Sequence, residues 1–309
     1  MTTIVFPGQG SQFVGMSKDF YDNFNVSREV FELTSDITKI DIKKIIFENQ
    51  SDLLNQTQYT QLAIFCASLS IYKVLINEIN INNLDITCML GHSLGEYSAL
   101  ASANIISFED CARLLKIRGE LMQKSFEPNL SGMAAIIGIN CENVDKIITE
   151  NNLEISIAND NSPQQVVISG IKKNLLNCEE IFKTHGAKKF IILNVSAAFH
   201  SNFMDIAQNK MTDFINNIVF RDSPISIISN YSAQISKNNK IIKENLTKQM
   251  SNRVRWVESI NSLIETKETK IIEIGPGKVL TGLIRRITDN FDIKNIEKIH
   301  DIENLKNDL

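Results

Sequence analysis

Cysteine and histidine are scarce in this chain of 309 residues, with five of the first and four of the second. The cysteines (Cys66, Cys88, Cys111, Cys141 and Cys178) are odd in number and show no CxxC spacing, which argues against a disulfide framework or a zinc site. Each reads as a small apolar core residue. A basic surplus is missing too: 32 Lys and Arg stand against 36 Asp and Glu, a formal charge of −4. Binding to nucleic acid requires a basic surface to neutralise phosphates, so nucleic acid is not an expected partner. No apolar run approaches the ~20 residues of a membrane helix, and MTTIVFPGQG lacks the basic start and apolar stretch of a signal peptide. The expectation is a cytoplasmic protein with no membrane association.

What is present is a globular composition, 43% hydrophobic and 22% charged, enough for one large core or for a core with a smaller unit inserted. No fixed-period repeat, low-complexity segment or long linker divides it. Thr3–Phe6 reads as a strand and Gln61–Ile79 as a helix; Ile86–Leu90 reads as a short strand buried on both faces. Strand-then-helix alternation predicts an α/β fold with a largely parallel sheet. Between about Gly132 and Leu193 the order becomes β-α-β-β-α-β, the pattern of a ferredoxin-like unit, entered through the loop EPNLSG. The division expected is a main domain of 1–127 and 198–309, with 128–197 inserted. The main domain resumes with PISIIS, a helix around Trp256–Ile264, the strand KIIEI and the turn GPGKVLTGL, which should border the site.

Gly91-His92-Ser93-Leu94-Gly95 fits G-x-S-x-G, the strand-turn-helix elbow that projects a serine oxygen. EYSALASA can continue as a helix, whose first N–H groups would face a developing oxyanion. The bland alternative is a structural glycine turn with a solvent-facing serine. A serine nucleophile needs a base, and four histidines offer themselves. Neighbouring side chains in a sharp turn diverge, which disfavours His92. His185 ends a helix in KTHGAK, and His300 lies in a charged tail. His200 remains, in NVSAAFHSNFM, where the chain re-enters the main domain.

Phe108–Ser125 reads as a helix opened by Ser107, with Cys111, Leu114, Leu115, Leu121 and Met122 on one apolar stripe. Arg118 falls near the middle of that stripe. A buried guanidinium must meet an anion, which leaves an internal ion pair or a fork for a substrate carboxylate. PGQGSQ follows the first strand and should emerge beside the elbow, where its glycines let a backbone N–H or the Gln9 amide approach a ligand. Phe13 occupies the third glycine position of a dinucleotide fingerprint, and GPGKVLTG lacks the spacing of a phosphate loop.

Taken in order, PGQGSQ at 7–12, GHSLGEYSA at 91–99, KIRGELM around Arg118, AFHS at 198–201 and GPGKVLTGL at 275–283 resemble the malonyl-CoA:acyl carrier protein transacylases over nearly the whole chain. The resemblance implies an α/β-hydrolase-like main domain carrying the ferredoxin-like insertion. It also implies Ser93 as nucleophile, His200 as general base and Arg118 as the clamp for the malonyl carboxylate. The backbone N–H groups of Gln9 and Leu94 would form the oxyanion hole. A main-chain carbonyl would orient the histidine, with Gln249 at the expected place. No metal or redox cofactor is implied; malonyl-CoA and acyl carrier protein are the implied partners of a monomeric enzyme supplying fatty acid synthesis. One departure is Arg253 in SNRVRW, where relatives usually place proline. A serine hydrolase, a malonyltransferase serving polyketide modules and an inactive binding subunit are the competing readings.

Overall fold

The computed structural model describes residues 1–79, 81–125, 130–195 and 197–308. The expected junction at 127/128, in EPNLSG, lies outside those residues. Among the described residues, ten strands form two sheets. The strands are β1 (Thr2–Phe6), β2 (Ile86–Gly91), β3 (Ser131–Ile137), β4 (Ile155–Ser162), β5 (Gln165–Ile171), β6 (Lys189–Ile192), β7 (Ser226–Ile228), β8 (Ile235–Ser236), β9 (Lys270–Ile274) and β10 (Asp292–Ile296). The larger sheet runs β10-β9-β1-β2-β7-β8, parallel except for the β7/β8 pair at its edge. All five residues of TTIVF in β1 are buried, as a central parallel strand covered on both faces requires.

The chain leaves β1 to build outward through β2 and β7, then returns to place β9 on β1's other edge. Crevices form beyond the carboxyl ends of strands at such reversals. Both loops singled out by sequence leave from there: PGQGSQ follows β1, and the serine turn follows β2.

The helix expected over Gln61–Ile79 runs from Thr57 to Glu78 and is buried on almost every side. Its length and mean hydropathy, 22 residues and 1.4, match a membrane span, which corrects the expectation that no apolar run comes close to that length. Here 83% of its most apolar window is buried against protein, so it serves as the central core helix. The helix Phe108–Gln123 packs beside it. Its first turn is capped as anticipated, with Ser107 Oγ accepting from Asp110 N–H at 3.0 Å.

The second sheet is antiparallel, in the order β4-β5-β3-β6. Helices Cys141–Glu150 and Lys172–Thr184 join β3 to β4 and β5 to β6 and close a separate core around Ile136, Val144, Ile168 and Phe182. A short β-type seam stitches this layer to the rest: Val254 N–H donates to Ala158 O at 2.8 Å, and Asp160 N–H to Val254 O at 3.0 Å. Arg253, the departure noted above, reaches out to Glu258 (3.4 Å) and leaves the seam at Val254 intact.

Candidate active site

The serine sits on a tight turn because nothing larger than glycine fits on either side of it. A Cβ on Gly91 would stand 2.0 Å from the carbonyl carbon of Gly95, and one on Gly95 would stand 2.2 Å from the Phe6 carbonyl oxygen. Ser93 itself adopts a left-handed backbone (φ 54°), a conformation a non-glycine residue holds only when its surroundings enforce it. Asn230 supplies the enforcement, taking the Ser93 N–H on Oδ1 and giving its own amide hydrogen to Gly91 O, both at 2.7 Å.

His200 comes from the segment ahead of β7 and also has a left-handed backbone (φ 55°). Its Nε2 lies 2.8 Å from Ser93 Oγ. Its Nδ1 faces two carbonyl oxygens, of Gln249 at 3.1 Å and Asn252 at 3.0 Å. Carbonyls only accept, so Nδ1 carries the proton and Nε2 presents a lone pair to the serine hydroxyl. The ring is 4% exposed. Burial, followed by the charges of Arg118 and His92, pushes its pKa down to about 3 from 6.5, against the opposing pull of the two carbonyls. A base with a depressed pKa stays neutral as pH falls. The rate of serine acylation is expected to hold within about twofold from about pH 7.5 to about pH 5. A single-turnover pH profile with an inflection near the ordinary histidine value would contradict this.

Ser93 Oγ is bonded to none of the other histidines. His92 turns away from Ser93, pairing Nε2 with Asn161 Oδ1 on β4 at 2.8 Å and tilting its ring against Trp256. His185 is exposed and folds back on Ile181 O, and exposed His300 pairs with Asp301.

Arg118 is 1% exposed, and among the described residues no carboxylate pairs with it directly. Its Nη1 donates to Gln61 Oε1 at 2.5 Å; its Nη2 donates to Gln249 Oε1 and to Ser93 Oγ, each at 3.0 Å. The guanidinium lies over the Tyr97 ring (5.6 Å), and Nε has no partner. Burial lowers its pKa while Tyr97 and Glu96 raise it. A fully buried cation held by neutral amides, with a donor to spare and another aimed at the serine oxygen, is arranged for an incoming anion.

Among the described residues the backbone N–H groups of Gln9 and Leu94 have no protein acceptor, and both residues line the pocket of about 90 Å³ that holds Ser93, His200 and Arg118. The Gln9 side chain is engaged elsewhere, on Thr57 Oγ1 at 3.3 Å. A larger cavity of about 470 Å³ adjoins this pocket through Leu193 and Val195. The GPGKVLTGL turn does not line the pocket: Gly275 and Gly277 pack behind the first loop, against Pro7 and Ser11. That corrects its expected place at the site's border.

Sequence reasoning missed Gln61, Glu96, Asn161 and Asn230. Glu96 and Gln249 share a bond of 2.8 Å, and the Gln249 amide also donates to Ser93 O at 2.9 Å. A buried amide in an apolar helix was a usable signal for Gln61; the asparagines, in strand ends and loops, gave none.

A serine hydroxyl on an enforced turn, a neutral imidazole ready for its proton and a buried cation held by amides beside both define an α/β enzyme of acyl transfer. The acyl transferase domain family matches residues 3–308, and the chain belongs to the malonyl-CoA:acyl carrier protein transacylase family. It is 35% identical over 305 residues to the malonyl CoA-acyl carrier protein transacylase of Staphylococcus aureus strain MSSA476, spanning 98% of this chain and 97% of that one. Identity to the Bacillus subtilis strain 168 protein of the same name is 37% over 287 residues, 92% and 89% of the two chains. Among solved structures, the acyl-carrier-protein-S-malonyltransferase of Bartonella henselae superposes with a TM-score of 0.94 at 36% identity, over 99% and 98% of the chains. A malonyl-transacylase solved in complex with its type II PKS acyl carrier protein superposes at 0.93 with 32% identity, over 100% and 99%.

Proposed function

We propose that this chain moves a malonyl group from malonyl-CoA to the phosphopantetheine thiol of acyl carrier protein through a malonyl-serine at Ser93, supplying fatty acid synthesis. The observation that carries the reading is Arg118: a buried guanidinium that no carboxylate among the described residues pairs with directly, bonded to the oxygen that would carry the acyl group. A malonyl carboxylate would complete it.

Ser93 Oγ attacks the thioester carbonyl as His200 Nε2 takes its proton. The tetrahedral oxyanion lies against the N–H groups of Gln9 and Leu94, the latter at the start of helix Gly95–Ser102. Collapse expels the CoA thiolate, which receives the proton from His200. In the second half the carrier thiol gives its proton to His200 and attacks the ester carbonyl. Ser93 leaves and recovers the proton, so the kinetics are ping-pong. The Gln249 and Asn252 carbonyls stabilise the transient imidazolium through Nδ1–H, a task a carboxylate performs in other serine enzymes.

The α/β-hydrolase-like body of 1–127 and 198–309, with 128–197 as a ferredoxin-like insertion, fits this chemistry: the strand order of each sheet supports it, and the cavity of about 470 Å³ between them suits a pantetheine arm. Five free cysteines suit a reducing, cytoplasmic setting.

The test follows labelled malonyl-CoA in the presence of a holo carrier protein. Label is expected to accumulate on the carrier, with free malonate a minor product; malonate alone would favour a serine hydrolase. Because one neighbour partners a polyketide carrier, carriers of both pathways belong in the assay, and faster transfer to the polyketide carrier would reassign the pathway.

A further inference from the structure

Glu96 lies fully buried beneath the elbow, in the first turn of helix Gly95–Ser102, and the transfer steps make no use of it. Its Oε2 accepts from Gln249 Nε2 at 2.8 Å and from Asn230 N–H at 3.1 Å. Gln249 turns its other amide atom to Arg118 Nη2 at 3.0 Å. One amide therefore stands between carboxylate and guanidinium, donor end on the first and acceptor end on the second. Flipping it would set oxygen against oxygen and N–H against N–H, so Glu96 fixes which atom Gln249 offers to Arg118. Asn230, the second residue bonded to Glu96, is also the one that holds Ser93 in its turn.

Oε2 accepts two N–H donors, and buried Oε1 meets no acceptor among the described residues to which a carboxyl proton could be given, so the geometry fits the ionised form. Burial holds the Glu96 carboxyl above its ordinary value, and Gln249, Asn230, Ser229 and the Arg118 charge offset that rise only in part. A buried cation without compensation is strongly unfavourable, and Glu96 is the acidic group through which the amide bridge compensates it.

We propose that Glu96 is the internal counter-charge of Arg118, a positioning residue that holds the guanidinium in the empty site and limits how tightly it grips an acyl carboxylate, so that the group can be passed on. The proposal rests on Arg118 being the carboxylate fork. A bound malonyl group puts a second negative charge on the far side of the guanidinium, and repulsion from Glu96 weakens its hold.

The experiment compares kcat/KM for malonyl-CoA and acetyl-CoA in the wild type, Glu96→Gln and Arg118→Ala. Glutamine keeps an oxygen to accept both N–H bonds and removes the charge. Glu96→Gln is expected to raise the malonyl-to-acetyl ratio about three- to tenfold through a lower KM for malonyl-CoA, and to slow discharge of the malonyl-enzyme to the carrier. An unchanged or lower ratio, with kcat reduced equally on both substrates, would overturn the proposal and leave Glu96 a purely structural residue. If Arg118→Ala also leaves the ratio intact, the fork reading itself fails; if Arg118→Ala lowers it and Glu96→Gln does not raise it, only the counter-charge fails. Should Glu96→Gln not fold alone, thermal melts decide. The double variant Glu96→Gln/Arg118→Gln should melt above Arg118→Gln, because it no longer buries a lone carboxylate; melting equal or lower would contradict the pairing.

Discussion

His200→Ala is expected to slow acylation by malonyl-CoA about 10²–10⁴-fold. The serine hydroxyl is a weak nucleophile near neutral pH, and Nε2 at 2.8 Å is the acceptor placed for its proton. Arg118 Nη2 also touches Ser93 Oγ, but a guanidinium has only hydrogens to give and takes no proton. His92 cannot substitute, because its Nε2 is bonded to Asn161. Binding should survive, since Arg118 and the backbone donors are untouched, so the loss should fall on kcat and leave KM for malonyl-CoA within a few-fold. Rapid-quench measurement of the first turnover reads this directly, and a loss smaller than about tenfold would point to a different base.

Arg118→Ala is expected to change what the enzyme accepts more than whether it works. A charge-assisted hydrogen bond contributes about 1.5–3 kcal/mol, so removing the fork should lower the malonyl-to-acetyl preference about tenfold to a hundredfold. Nη2 also bonds Ser93 Oγ, so some of the loss should appear with both substrates. The malonyl-specific part is what the ratio isolates. Parallel kcat/KM measurements with the two thioesters check it, and an unchanged ratio would remove the carboxylate role.

Much of this site was legible in the sequence because chain geometry is local there. GHSLG announces a turn through its glycines, whose neighbours in space, Gly95 and Phe6, leave no room for a Cβ. Arg118 betrayed itself by lying on an apolar helical stripe, and it is indeed buried to 1%. His200 emerged by elimination among four histidines, a route open only because the residue is scarce. The amide network was not legible. Asn230, Asn161 and Gln61 matter through partners 137, 69 and 57 positions away in sequence, and no periodicity reports such meetings. The helical layer over Lys18–Phe47 also escaped notice, although Asp41 caps its last helix; the buried face of Asn25–Thr38 mixes Ser27, Thr34 and Thr38 with Val30 and Phe31, which blurs the apolar stripe. The core helix Thr57–Glu78 was seen, but its burial on nearly all sides is a consequence of packing between layers that no single helix encodes.

The central claim is that Ser93 carries the acyl group and that Arg118 makes that group malonyl. Intact-mass and peptide-level mass spectrometry of the protein after mixing with malonyl-CoA tests it most directly. The account predicts one malonyl adduct, localised to Ser93 and discharged when holo acyl carrier protein is added. Absence of an adduct, its appearance on another residue, or an adduct that carrier protein fails to remove would contradict it.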